Sequence, residues 1–137
     1  MSRFIKISST GERLPGDALD WVAVLDEKQG LMWAKNHIAV DNYKEATSAL
    51  DGFELAAAKD WRLPTVEELF LLVDRTRTGP AIDVAYFPDC ASDWYWSSTL
   101  YSASPGDYAW GVDFNVGYAG WGSQYGSGFV RACRAGQ

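Results

Sequence analysis

Apolar and polar positions along the chain form short alternating runs, one amphipathic stripe and a long aromatic stretch. Phe4-Ile5-Lys6-Ile7 alternates and predicts a short strand. Ser8 to Leu19 is polar and contains Gly and Pro, which predicts a loop. Trp21-Val22-Ala23-Val24-Leu25 predicts a second strand, Asp26 to Gly30 a turn, and Leu31-Met32-Trp33-Ala34 the return strand of a hairpin. Asp41 is placed to cap a helix running to about Leu50, with Tyr43, Ala46, Ala49 and Leu50 on one face.

The clearest local signal runs from Asp60 to Leu69. Thr65 with Glu68 three residues later is a capping box. Val66, Leu69, Phe70 and Val73 then make an apolar stripe at helical spacing. Pro64 forces Leu63 to be extended, so the chain enters the helix from a fixed direction. Thr76 to Asp93 has little periodicity and predicts a long loop.

From Trp94 the pattern is β. Trp94 to Ser98 predicts one strand and Ala109 to Asn115 another, strictly alternating. In the second, Trp110, Val112 and Phe114 point to the core. Gly111, Asp113 and Asn115 point to solvent or ligand. Gly117 to Gly128 is too Gly-rich for a well-buried strand and predicts a loop or irregular hairpin. Phe129 to Arg134 predicts the closing strand. Strands, two helices, then strands is a segregated order, which argues for an α+β fold.

Length and charge narrow the class. The chain has 137 residues, enough for one domain with a real core. The net charge is −6, and no Lys or Arg occurs from Thr78 through Val130. Nucleic acid and anionic membranes need cations to neutralise phosphate, so neither is an expected partner. No apolar run approaches a membrane span. The start, Met1-Ser2-Arg3-Phe4-Ile5-Lys6, lacks a conventional secretory signal.

Composition then picks out one segment. Residues 94–129 hold 11 of the 20 aromatic side chains but only two charged ones, Asp107 and Asp113. Tyr and Trp with Ser, Gly and Asn is the composition of binding loops. Trp61 and Trp96 are expected in the core. Tyr101, Tyr108, Tyr118, Trp121 and Tyr125 lie in Ser/Gly-rich stretches without an apolar period. With Asp113, Asn115, Ser123 and Gln124 they form the candidate ligand-binding set.

Four motifs carry a resemblance. They are Asp60-Trp61-Arg62-Leu63-Pro64-Thr65, Tyr95-Trp96-Ser97-Ser98-Thr99, Ala109 to Phe114, and Phe129-Val130-Arg131 with Arg134. Together with the Trp21 to Trp33 hairpin they resemble the bacterial and phage family formed by the C-terminal domain of the Lcl collagen-like adhesin. The resemblance covers about Trp21 to Arg134. It implies a C-type lectin-like fold, two helices packed on small antiparallel sheets. It also implies kinship with formylglycine-generating enzymes and with retroelement variable proteins, whose C-terminal segment faces the ligand. On that division, residues 1–20 are a docking strand and loop, and 21–137 form the lectin-like domain with binding segment 94–129. Cys133 stands where the family is usually aliphatic.

The remaining chemistries are weaker. Cys90 and Cys133 are 43 residues apart, whereas formylglycine chemistry uses cysteines close in sequence, so no enzyme and no catalytic residue is expected. Two free thiols are expected in place of a disulfide. One His and two distant Cys lack zinc spacing, and His37 is placed on a loop. Asp83, Asp89, Asp93, Asp107 and Asp113 form no recognised calcium loop. No metal or cofactor is expected. Arg62, Arg131 and Arg134 are read as partners of carboxylates such as Asp60, Glu67 or Glu68.

The expected function is ligand recognition without catalysis, in a phage tail or other adhesin-like protein contacting a host surface glycan or protein receptor. Such a protein is made in the host cytoplasm and ends in the virion. Other tail proteins are expected partners, as is a homo-oligomer, a trimer being one form. Two alternatives stay open: a structural virion protein using the aromatic segment as a subunit interface, and a retroelement-diversified variable protein.

Overall fold

The computed structural model describes residues 2–136. It is a small α+β domain with two sheets and two short helices. The first sheet is built from β1 (Phe4–Ile7), β2 (Ala23–Asp26), β3 (Leu31–Ala34) and β9 (Cys133–Ala135) in the order β1-β2-β3-β9. The second contains β4 (Ile38–Val40), β8 (Gly128–Val130), β5 (Trp94–Leu100), β6 (Tyr108–Asp113) and β7 (Tyr118–Ser123) in the order β4-β8-β5-β6-β7. The helices are α1 (Tyr43–Ser48) and α2 (Val66–Phe70).

Several expectations need correction. The N-cap of α1 is Asn42, not Asp41. The Asn42 side chain accepts from the Glu45 amide, while the Asp41 amide donates to the Glu45 carboxylate. The closing segment is not one strand. It splits at Arg131-Ala132 into β8 and β9, which lie in different sheets. Residues 117–128 contain a regular strand, β7, paired with β6 over six consecutive positions. The sheets are not wholly antiparallel either. Along the chain the β6–β7 hairpin separates β5 from β8, and β8 then returns to pair parallel with β5 on its other side. Residues 2–20 are tied to the domain, because β1 pairs with β2 along its whole length.

The motifs that carry the resemblance prove to be joints. The capping box of α2 forms as expected, Thr65 accepting from the Glu68 amide and Glu68 from the Thr65 amide. Glu68 also takes a two-point contact from Arg62 at 2.8 and 2.9 Å, which holds its carboxyl below the usual range. Arg62 exchanges both backbone hydrogen bonds with Cys133, and Arg134 pairs with Asp60. The Ser98 amide donates to Pro64, and the Val66 amide to the Thr99 hydroxyl. The start of α2 is therefore fixed from three directions. Its apolar stripe then buries Leu69 completely against Tyr95, Val112 and Phe114. Burying one such side chain contributes about 1.5–3 kcal/mol. The long segment from Thr76 to Asp93 is irregular but not superficial. Ala81, Ile82 and Phe87 within it are fully buried.

Arg131 departs from the expected carboxylate pairing. It is fully buried, and its Nη1 donates to the carbonyls of Ala34 and Lys35 at 2.9 and 2.6 Å. Its guanidinium lies 4.8 Å from the Phe87 ring centre and 5.5 Å from that of Tyr95. Ring faces replace the carboxylate as the source of negative potential.

His37, on the loop before β4, stands edge-on to Tyr95 and Phe129. Burial, and then the nearby Arg131 charge, hold its pKa below the ordinary 6.5, against a smaller opposing pull from Asp89. Protonation is therefore harder in the folded state than in the unfolded chain. Stability from this group is complete above pH about 6.5 and falls as pH drops toward the folded pKa. Chemical denaturation between pH 7.5 and pH 5 should show that loss, and His37→Phe should remove it (the pH limits span roughly the histidine range). An identical pH slope in the variant would assign the loss to other groups.

Candidate functional site

The β6–β7 hairpin decides where the candidate residues go. Directly opposed residues of an antiparallel pair share a face. Tyr108 opposes Ser123, Trp110 opposes Trp121 and Val112 opposes Ala119. These six therefore lie on one face, the one that α2 packs against through Val66 and Phe70. Ala109 with Gly122, Gly111 with Gly120, and Asp113 with Tyr118 lie on the other face.

On the α2 face the rings form a row. Tyr101, just beyond β5, stacks on Trp121 with centroids 4.7 Å apart and planes at 27°. Tyr108 meets Trp121 edge-on at 5.4 Å. Tyr101 also meets Tyr108 and Trp110, each at 6.1 Å. Such contacts contribute about 0.5–1.5 kcal/mol each beyond buried area, so the row holds its shape without a ligand. Trp121 remains half exposed. Trp110 continues the row into an apolar cleft of about 350 Å³ lined by Val66, Glu67, Phe70, Trp110 and Ala119.

The opposite face is closed. The Trp94 ring lies across Gly111, Gly122 and Gly128 and meets Trp96 edge-on at 5.5 Å. Gly111 is thus a seat for Trp94, and its assignment to a solvent or ligand face is corrected. The glycines of this segment are explained in good part by that seat. Asp113 is half-buried at the turn, its carboxylate accepting from the Asn115 amide. Asn115 itself is exposed, and its carbonyl accepts from the Gly79 amide. Tyr118 is half exposed, but it points away from the ring row.

Gln124 and Tyr125 belong to a third place. Gln124 ties the loop, its side-chain amide donating to the carbonyls of Pro105 and Tyr108. Both residues border a more polar cleft of about 440 Å³ with Asn42, Tyr43, Lys44, Thr47 and Gly106. Tyr125 is almost fully exposed.

The nine candidates therefore divide. Tyr101, Tyr108, Trp121 and Ser123 share the ring face, Asp113, Asn115 and Tyr118 lie at or beyond the turn on the other side, and Gln124 and Tyr125 border the second cleft. Trp110, expected in the core, is only partly buried and links row to cleft. Phe70 and Glu67 were not anticipated there. The shared parity of Tyr108 and Trp110 was the available signal for Trp110. Nothing local places α2 beside β7.

The thiols are not poised for chemistry. Cys90 and Cys133 are both free and buried. Burial pushes the Cys133 thiol up to about 12, so it stays protonated and non-nucleophilic near neutral pH. Among the described residues no three His, Cys, Asp or Glu side chains are grouped to hold a metal ion, and no helix is long and apolar enough to cross a membrane.

Comparison with known families adds the last observation. The family model of the Lcl C-terminal domain matches residues 22–134. The chain belongs to that family. The match takes in β2 through most of β9, so the second sheet, both helices and the ring face lie within the family domain, and of the first sheet β1 lies outside it. Its joints, from Arg62 to Arg134, are the motifs that carried the resemblance. No curated protein matches the chain significantly.

Proposed function

We propose that this domain recognises a ligand without chemical turnover, and that the ligand is a neutral surface glycan. The observation that carries the reading is the stacked Tyr101–Trp121 pair, half exposed at Trp121 and joined through Trp110 to an apolar cleft. A flat, preformed aromatic surface suits the apolar face of a sugar ring and costs little ordering on binding. The Ser123 hydroxyl shares this face. The lack of Lys and Arg from Thr78 through Val130 favours a neutral ligand over an anionic one. The burial of both thiols supports recognition over thiol chemistry. A C-type lectin-like fold and an adhesin-like setting, such as a phage tail contacting its host, belong to the same proposal.

A glycan array probed with the labelled domain tests the ligand class. Calorimetry on the strongest hit then tests the face. Trp121→Ala should weaken binding by about tenfold or more, a loss of about 1.4 kcal/mol or greater. Tyr118→Ala, on the opposite face, should leave affinity unchanged. A panel with no bound saccharide would sink the glycan reading, and the reverse pattern between the two variants would move the site to the other face.

A further inference from the structure

The second sheet ends at β7, and nothing in the strand order lies beyond it. The four edge strands of the two sheets are β1, β9, β4 and β7, with four, three, three and six residues. β7 is the longest. Its sequence, Tyr118-Ala119-Gly120-Trp121-Gly122-Ser123, holds no Pro, no Lys and no charged residue. Its register with β6 is unbroken. Edge strands are usually blunted by charge, proline, bulges or shortness. β7 has none of these devices.

The hydrogen-bonding phase fixes what the edge offers. The Gln124 amide donates to the Asp107 carbonyl, two positions along from the Ala109–Gly122 pair. Bonded pairs alternate along an antiparallel ladder, so Gly122, Gly120 and Tyr118 bond inward to β6. The amides and carbonyls of Ala119 and Trp121 point outward.

We propose that β7 pairs antiparallel with β7 of a second copy of this chain, joining two five-stranded sheets across a twofold axis. The favoured register sets Gly120 opposite Gly120 of the second copy. Ala119 then opposes Trp121, and Tyr118 opposes Gly122, in both directions. Each large ring meets a small residue across the junction, a cross-strand arrangement that covers glycine with an aromatic face. Tyr118 already covers Gly120 within its own strand, its ring 3.6 Å from where a Gly120 Cβ would stand. Pairing one residue further along would instead set Trp121 against Trp121 and Gly120 against Gly122, with two large rings opposed and no ring across from either glycine. The strand itself is uncharged; Asp107 and Asp113 sit on or beside β6, and Glu67 lies on the face of the sheet at the cleft beside Ala119. The twofold runs through the sheet, so both ring rows lie on the same side of the joined sheet. The pairing stands apart from the glycan reading and would make that surface bivalent.

Sedimentation velocity of the ligand-free protein over a wide concentration range is the first test, with a reversible dimer expected. Gly120→Asp sets two carboxylates opposite each other at the twofold, on the face away from the ring row and its cleft, where like charges oppose pairing. It should give a monomer that still melts cooperatively. Gly120→Cys tests the register independently of that variant. Opposed non-bonded positions lie about 4.5 Å apart, within disulfide reach. A Gly120 Cβ meets only ordinary contacts, so mild oxidation should give a covalent dimer. Ser123→Cys should not cross-link. A wild-type monomer at every concentration, a dimer that survives Gly120→Asp, or cross-linking through Ser123→Cys in preference to Gly120→Cys would each overturn the proposal. Glycan binding by a monomeric Gly120→Asp variant would leave the proposed function untouched.

Discussion

Arg131→Met is expected to lower the thermal midpoint by about 10 °C or more, one of the two largest effects anticipated for a single substitution. The side chain is fully buried and holds the carbonyls of Ala34 and Lys35. Methionine fills part of the volume but donates nothing. Each carbonyl left without its donor costs about 1–3 kcal/mol. The guanidinium contacts with Phe87 and Tyr95 are lost as well, each worth about 0.5–2 kcal/mol. Removing a buried charge relieves a desolvation cost, and this opposes the loss. The orphaned carbonyls decide the sign, because they remain after the charge has gone. Arg131→Lys keeps the charge but loses the planar fork, and should fall between the two. Calorimetric melts of the three proteins check the order. A midpoint for Arg131→Met at or above the wild-type value would show that the cation is tolerated there without holding the junction between β8 and β9.

Gly111→Ala is expected to cost about 3 kcal/mol, at the upper end of overpacking effects. A Cβ at this position would lie 2.5 Å from the Trp94 ring and 2.5 Å from the Tyr95 carbonyl oxygen. A flexible side chain can retreat from such a contact, but a β5 carbonyl beside the pairing strand cannot. In an open strand the same change would stabilise by roughly 0.5–1 kcal/mol, through the lower entropy of the unfolded chain. The two environments thus predict opposite signs. Gly122→Ala meets the Trp94 ring only at 3.3 Å, and Gly106→Ala meets nothing within 4 Å. Urea midpoints should therefore fall most for Gly111, little for Gly122 and not at all for Gly106. Stabilisation by Gly111→Ala would return this glycine to an open, ligand-facing surface.

Gly111 also shows where reasoning along the chain stops. Strict alternation from Ala109 to Asn115 divides the strand into two faces, and that division holds. Alternation does not say what covers each face. Val112 and Phe114 are buried, Trp110 only partly, and the opposite side carries Ala109 and Gly111 beneath Trp94 and Trp96. Both faces of β6 are covered, so polarity along one strand could not tell them apart. The glycine-rich run from Gly117 to Gly128 misleads for a related reason. Glycine disfavours a strand through its entropy, but Gly122 and Gly128 make room for the Trp94 ring of β5. Long-range packing outweighs local propensity there.

The binding set was legible in part. Tyr101, Tyr108 and Trp121 come together as the uncharged aromatic window suggests. Tyr118 and Tyr125 share that composition but not that face, because one-residue parity and the turn at Ser123 send them elsewhere. Gln124 has the chemistry of a ligand contact but spends its amide on the Pro105 and Tyr108 carbonyls.

Local sequence determined the α2 capping box, the opening hairpin, the α+β class and the family, since each rests on neighbours in the chain or on motifs in order. Tertiary structure alone decided that the closing segment serves two sheets, that Arg131 is held by carbonyls and rings in place of a carboxylate, and that only four of nine candidates share a face. The physical reason is that a cap or an alternation is settled within a few residues, whereas the far side of every strand is settled by whatever distant side chain fills it.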